Sequence, residues 1–134
     1  MPPNQPLRLI VDEDLNWKIA AELRARGYSD VISAFEWGIA GRRVKDPRWL
    51  YIIARSGVPS VLVTFDNKMP RVHRNAILKL NSTLAVIDSK ADRGGRTREE
   101  YTREVVHRWA HRMQEQPQGS RYMYRLSRRT LVTL

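Results

Sequence analysis

The apolar positions of the chain fall into short unbroken runs separated by stretches with helical spacing. "LRLIVD" at 7–12 reads as a short buried strand rich in branched residues, its apolar run ending abruptly in three consecutive acids, Asp12, Glu13 and Asp14. Trp17, Ile19, Ala20 and Leu23 then recur at helical spacing, so a helix is expected over 16–26, ended by Gly27. "DVISAF" predicts a second strand and "EWGIAGRRVK" an irregular basic loop. Asp46 before Pro47 reads as an N-cap followed by the first helical position, opening a helix through Trp49, Leu50, Ile52 and Ile53 to Gly57. "SVLVT" is a third strand leading into Phe65 and Asp66, "MPRVHRNAILKL" a further helix, and "TLAVID" a fourth strand.

Strands that alternate with helices imply right-handed crossovers and a mainly parallel sheet covered on both faces, so the expected fold class is a three-layer α/β/α domain. Thr97 with Glu100 forms a capping-box opening for a helix to about Glu115, whose apolar face is Val105, Val106, Trp109, Ala110 and Met113. "SRYMYRLSRRTLVTL" alternates enough for one or two strands. At 134 residues the chain supports one ordinary core. The organisation expected is a flexible N-terminus at 1–6, an α/β core at 7–90, and a segment at 91–134 that completes the same domain.

Composition narrows the chemistry. Cysteine is absent, which excludes disulfides and thiolate metal sites. "MPPNQP" lacks the charged head and apolar run of a leader, and no apolar stretch approaches the ~20 residues that span a bilayer, so no membrane association and a cytoplasmic location are expected. Against 14 acids stand 24 Lys and Arg, leaving a net charge of +10 that favours a polyanionic partner.

Within this basic chain the acids are placed at the ends of strands. Asp12 closes the first, Asp66 follows the third, Asp88 follows the fourth, and Asp46 opens the second helix. Parallel strands bring their C-terminal ends to one edge, where open α/β sheets bind ligands. Two carboxylates ~4 Å apart repel by about 1 kcal/mol in water and about 4 kcal/mol at an effective dielectric of 20, so a cluster tends to protonate or recruit a cation. Oxygen ligands alone select a hard ion, Mg²⁺ or Mn²⁺. Each acid also has a plainer reading: Asp12 and Glu13 as a polar turn, Asp14 or Asn16 as a helix cap, Asp46 as the cap before Pro47, and Asp66 as a turn residue.

The segments "LIVDEDL", "GIAGRRVKDPRWL" and "VLVTFDNKM", in this order and spacing, resemble the PIN-like domains, in particular their compact VapC-like toxin branch with an "LLDENL"-type start. The resemblance covers roughly residues 7–88. It implies a metal-dependent endoribonuclease, the toxin of a toxin–antitoxin pair held in check by a cognate antitoxin. Carried over by position, Asp12, Asp46 and Asp66 would be the catalytic metal ligands for Mg²⁺ or Mn²⁺, with Glu13 matching the acid after the first Asp and Asp88 a possible fourth. Asp14 stands where the family usually has Asn, and Lys68 where many relatives carry a second acid. That departure leaves open an alternative, a degenerate module that binds RNA or a partner protein without cleavage, and behind it a purely structural subunit.

The basic residues expected to meet RNA are Arg42, Arg43 and Lys45 in the loop, and Lys68, Arg71 and Arg74 after the third strand. Arg121, Arg125, Arg128 and Arg129 cluster with Tyr122 and Tyr124 and suit either RNA or an acidic antitoxin segment. His107 and His111 are four apart but lack the Glu of a zinc helix and read as a solvated face, as His73 does. Trp17, Trp49 and Trp109 read as packing residues.

Overall fold

The computed structural model describes residues 6–37 and 48–134. Its elements run β1 (Arg8–Val11), α1 (Lys18–Ala25), β2 (Val31–Ser33), a 3-10 turn (Ala34–Trp37), α2 (Arg48–Arg55), β3 (Ser60–Thr64), α3 (Met69–Val72), α4 (Arg74–Leu80), β4 (Leu84–Ile87), α5 (Arg98–Gln114), β5 (Arg121–Tyr124) and β6 (Arg129–Leu131). The six strands form one sheet in the order β2-β1-β3-β4-β5-β6. All neighbours are parallel except β5 and β6, which form an antiparallel pair at the edge.

Side-chain alternation along the strands builds two cores. Leu9, Val11, Val61, Val63, Ala85 and Ile87 meet α1 and α5 on one side. Ile10, Leu62, Leu84 and Val86 meet Leu50, Met69 and Ile77 of α2, α3 and α4 on the other. Consecutive apolar residues, Val61, Leu62 and Val63 in β3 and all four positions of β4, are what a sheet covered on both faces requires, and this makes the architecture three-layered. The Thr97–Glu100 capping box is present in both directions and starts α5. No helix among the described residues is long and apolar enough to cross a membrane.

The structure corrects the sequence reading in four places. "MPRVHRNAILKL" is two helices, because His73, at φ −110° and ψ 28°, leaves the helical region between α3 and α4. "DVISAF" contributes only three strand residues before the chain tightens into the 3-10 turn, where Ser33 and Glu36 exchange hydrogen bonds. Trp17 is 50% exposed rather than packed, since the buried stripe of α1 is Ile19, Ala20 and Leu23. His107 is tied down rather than solvated, contacting Glu22 and Arg26 of the α1 segment.

The segment after β4 is joined to the sheet by specific polar bonds as well as by the core. Tyr101 donates its hydroxyl proton to the Asp88 carbonyl, and Tyr124 donates to Gln116, whose amide donates to the Leu84 carbonyl. Gly119, at φ +83°, turns the chain into β5 against the side chain of Asn81; a Cβ there would lie 2.3 Å from the Asn81 amide. Only glycine satisfies both the backbone angle and this approach.

Candidate functional site

The strand order places a topological switch at the centre of the sheet. From β1 the chain crosses outward to β2, then returns past β1 to β3, so the crossovers on either side of the β1–β3 pair diverge. A crevice opens at the carboxyl ends of such a pair, and ligands of open α/β sheets bind there. In this chain the residues at that point are Asp12, Glu13 and Asp14 after β1, and Phe65 and Asp66 after β3.

Backbone and hydroxyl groups lock the two strand ends together. The Asp12 amide donates to the Val63 carbonyl, extending the ladder by one residue, and its Oδ1 accepts from the Glu13 amide at 2.7 Å. Asp12 is 8% exposed, whereas Glu13 points into solvent. Asp14 reaches across from β1 to β3: its Oδ2 accepts from the Thr64 hydroxyl at 3.2 Å and the Phe65 amide at 3.0 Å. The same Thr64 Oγ1 accepts from the Asp66 amide, and Asp66 Oδ1 receives the Lys68 amide in an Asx turn. Thr64 thus connects the Asp14 carboxylate to the backbone that presents Asp66.

Asp14 is the electrostatic outlier of this group. Its Oδ1 is buried and has no hydrogen-bond partner. Burial pushes its carboxyl up to about 6, with nearby Asp66 adding to the rise, against the downward pull of the Phe65 amide, the Thr64 hydroxyl and Arg98. Arg98, the first residue of α5, arches over this corner: its guanidinium lies 4.6 Å from the centre of the Phe65 ring and donates a long 3.4 Å bond to the Asp14 carbonyl. A buried carboxylate oxygen without a donor is suited to a proton or a cation.

Asp66 also borders a second space. A cleft of about 710 Å³ runs from the end of β3 past the end of β4 to β5, with Asp66 and Asp88 on its wall together with Lys68, Arg71, Lys90 and Arg125. Asp88 is 3% exposed and fully engaged: Oδ1 accepts from the Lys90 amide and the Asn67 side chain, and Oδ2 from Arg125 at 2.8 Å. Burial alone would raise its pKa, but these donors outweigh it and hold the carboxyl below its ordinary value. With Asp88 neutralised by Arg125, the cleft presents Lys68, Arg71 and Lys90 to whatever enters it.

Of the residues expected from sequence, Asp12 and Asp66 stand on the same edge, with Asp66 linked through Thr64 to Asp14. Glu13 stands beside them but faces outward, and Asp88 lies across the cleft in the grip of Arg125. Asp46, Arg42, Arg43 and Lys45 lie outside the described residues. Among the described residues no three acidic or histidine side chains gather as a preformed cage. Lys68 and Arg71 line the cleft, and Arg74 lies one turn further on.

Asp14, Thr64 and Arg98 were not singled out for the site by sequence, and Arg125 was named only within a basic cluster suited to RNA or an antitoxin segment. The one signal that bears on them is the third acid of "DEDL", an unusual charge to bury after an apolar strand. The pocket of about 270 Å³ at the opposite edge, between α2 and α4, is lined without any charged side chain and supplies no acid–base chemistry. Comparison with known protein families, with characterised proteins and with solved structures gives no match.

Proposed function

We propose that the chain is a metal-dependent endoribonuclease of PIN-like type, acting as the toxin of a toxin–antitoxin pair. The observation that carries this reading is the buried, undonated Oδ1 of Asp14 at the β1–β3 switch point, with Asp66 close enough to add to the rise of its pKa. Carboxylate oxygens suit a hard divalent ion, and the sequence resemblance adds Asp46, which lies outside the described residues, to the ligands. Asp12, Asp14 and Asp66 would hold Mg²⁺ or Mn²⁺, with Glu13 within the same turn. When bound, such an ion lowers the pKa of a water for attack on a phosphodiester and stabilises the leaving oxygen.

The chain's own residues do the positioning. Thr64 and the Phe65 amide fix Asp14 Oδ2, so that Oδ1 is the oxygen left to act. The Asx turn at Asp66 holds its Oδ1, and Asp66 lines the cleft. Lys68, Arg71 and Lys90 offer the phosphates a basic wall beside the carboxylates, and Arg98 stands over the acidic corner where charge on a reacting phosphate would develop. An antitoxin with an acidic segment would block the same wall.

A second reading, a module that grips RNA without cutting it, draws on Lys68 in place of an acid and on Asp88 being committed to Arg125. Titration of Mn²⁺ into wild-type protein and into Asp12→Asn/Asp66→Asn, followed by cleavage of a single-stranded RNA, separates the two. The nuclease reading expects Mn²⁺ binding and cleavage in wild type and neither in the double variant. Equal cleavage by both proteins would sink it, and RNA binding without cleavage by either would favour the non-cutting module.

A further inference from the structure

The two helical layers differ in how many acids accompany their cations. On the α1/α5 side acids are interspersed and several cations are paired, Arg24 with Glu36, Arg96 with Glu104, and Arg103 with both Glu22 and Glu99, while Lys18, Arg26, Arg98 and Arg112 are in no ion pair among the described residues. On the other side the segment from Pro47 to Ile87 carries Arg48, Arg55, Lys68, Arg71, Arg74 and Lys79 against a single acid, Asp66. Among the described residues none of those six cations takes part in an ion pair. A solvated surface needs no such segregation, because mixed charges keep a domain soluble equally well.

Three of these six cations, Arg71, Arg74 and Lys79, line a concavity. A hollow of about 520 Å³ lies on the outer side of α2, α3 and α4, lined by Arg71, His73, Arg74 and Lys79, with the half-buried ring of Tyr51 and no carboxylate. Arg71 lines both this hollow and the cleft beside Asp66, so the two spaces share a wall. Strand alternation, continued by the Asp12–Val63 bond, places Asp12 on the side of the sheet that faces these helices.

We propose that the hollow is a second RNA site, holding the strand that leaves the acidic edge: Arg71, Arg74 and Lys79 bind successive phosphates, and Tyr51 stacks on a base. The combination of unpaired cations with one accessible aromatic ring is the chemistry of single-stranded nucleic acid recognition, in which charge tracks the backbone and the ring meets any base. An acidic peptide would satisfy the cations and leave Tyr51 without a role. The inference shares with the proposed function the premise that RNA is the partner, but not that RNA is cut.

The test uses a fluorescein-labelled oligouridylate in EDTA, with affinity read by anisotropy over a range of salt. Arg74 and Lys79 are exposed, so Arg74→Gln/Lys79→Gln should fold as wild type does. It is expected to bind at least about tenfold more weakly, with the slope of log K against log salt reduced by about 1.4, the share of two single-strand phosphates. Tyr51→Leu should weaken oligouridylate about tenfold while leaving inorganic polyphosphate, which has no bases, unaffected.

Unchanged RNA affinity in the double variant overturns the proposal. So does poly-glutamate binding as tightly as RNA with the same dependence on Arg74 and Lys79 and none on Tyr51, which would assign the surface to an acidic protein. Failure of the nuclease reading is seen separately, as no Mn²⁺-dependent cleavage by wild type, or as cleavage that survives unchanged in Asp12→Asn/Asp66→Asn. That double variant keeps every cation of the hollow and should bind oligouridylate in EDTA at least as well as wild type.

Discussion

Asp14 carries a charge where the surrounding structure opposes one, and that makes its stability effect predictable. Its carboxyl titrates near 6 in the folded chain against an ordinary value of 3.8. Between these values the native state binds more protons than the unfolded state, so stability falls as pH rises through the window and stays lower above it. A shift of this size corresponds to about 2–3 kcal/mol without a cation. Asp14→Asn keeps an oxygen for Thr64 and the Phe65 amide but removes the charge. In EDTA at pH 7.5 it is expected to be more stable than wild type by about 1–3 kcal/mol, the gain vanishing below pH 4. Thermal melts across that range check this, and a lower melting temperature for the variant at pH 7.5 would refute it. The same substitution should weaken Mn²⁺ binding, so that stability and metal affinity change in opposite directions.

At the scale of elements, the site depends on how the ends of β3, β4 and β5 are fastened. Asp88 joins all three, through Asn67, its own strand end and Arg125. Asp88→Ala leaves Arg125 and Asn67 without their acceptor and should cost about 2–4 kcal/mol, since it removes one partner of a buried, charge-assisted bond. Because the Asp88 carboxyl is held below its ordinary pKa, the stability it contributes is present above that ordinary value and is lost as the pH falls below it. Urea unfolding at neutral and acidic pH should therefore show a large difference from wild type that shrinks in acid. Thr97→Ala should cost about 1 kcal/mol by removing the α5 cap, and by loosening the first turn it should also free Arg98 from Phe65. Much of this level was legible in the sequence. Unbroken apolar runs gave β1, β3 and β4, and Thr97 with Glu100 gave the start of α5, because burial and capping are local consequences of residue type. What could not be read was which long side chain ends where. Nothing in the spacing places Arg98 over Phe65 or Arg125 on Asp88, since those contacts exist only once α5 and β5 have docked. Trp17 was misread for the same reason: its apolar character fits the helix pattern, but its position precedes the buried stripe.

For the molecule as a whole, the stretch after residue 90 is part of the core. Leu9, Val11, Val61, Val63, Ala85 and Ile87 form one face of the sheet, and Tyr101, Val105, Val106, Ala110 and Met113 of α5 share their core. Gln116 and Tyr124 then close the far side of β4 with buried hydrogen bonds. Removing this segment would return several large apolar side chains to water at about 1.5–3 kcal/mol each. A domain of this size has only about 5–15 kcal/mol of net stability to lose. A fragment ending at Lys90 is thus expected to be unfolded, even though it contains every residue of the "LIVDEDL", "GIAGRRVKDPRWL" and "VLVTFDNKM" segments. Circular dichroism and amide dispersion by NMR would test this directly. A cooperative thermal transition in the fragment would mean that α1 to α4 and four strands stabilise themselves, and that α5 serves the site through Arg98 alone. An unfolded fragment that regains structure when residues 91–134 are added as a separate peptide would show the opposite, that the acidic edge exists only because α5 covers the sheet behind it.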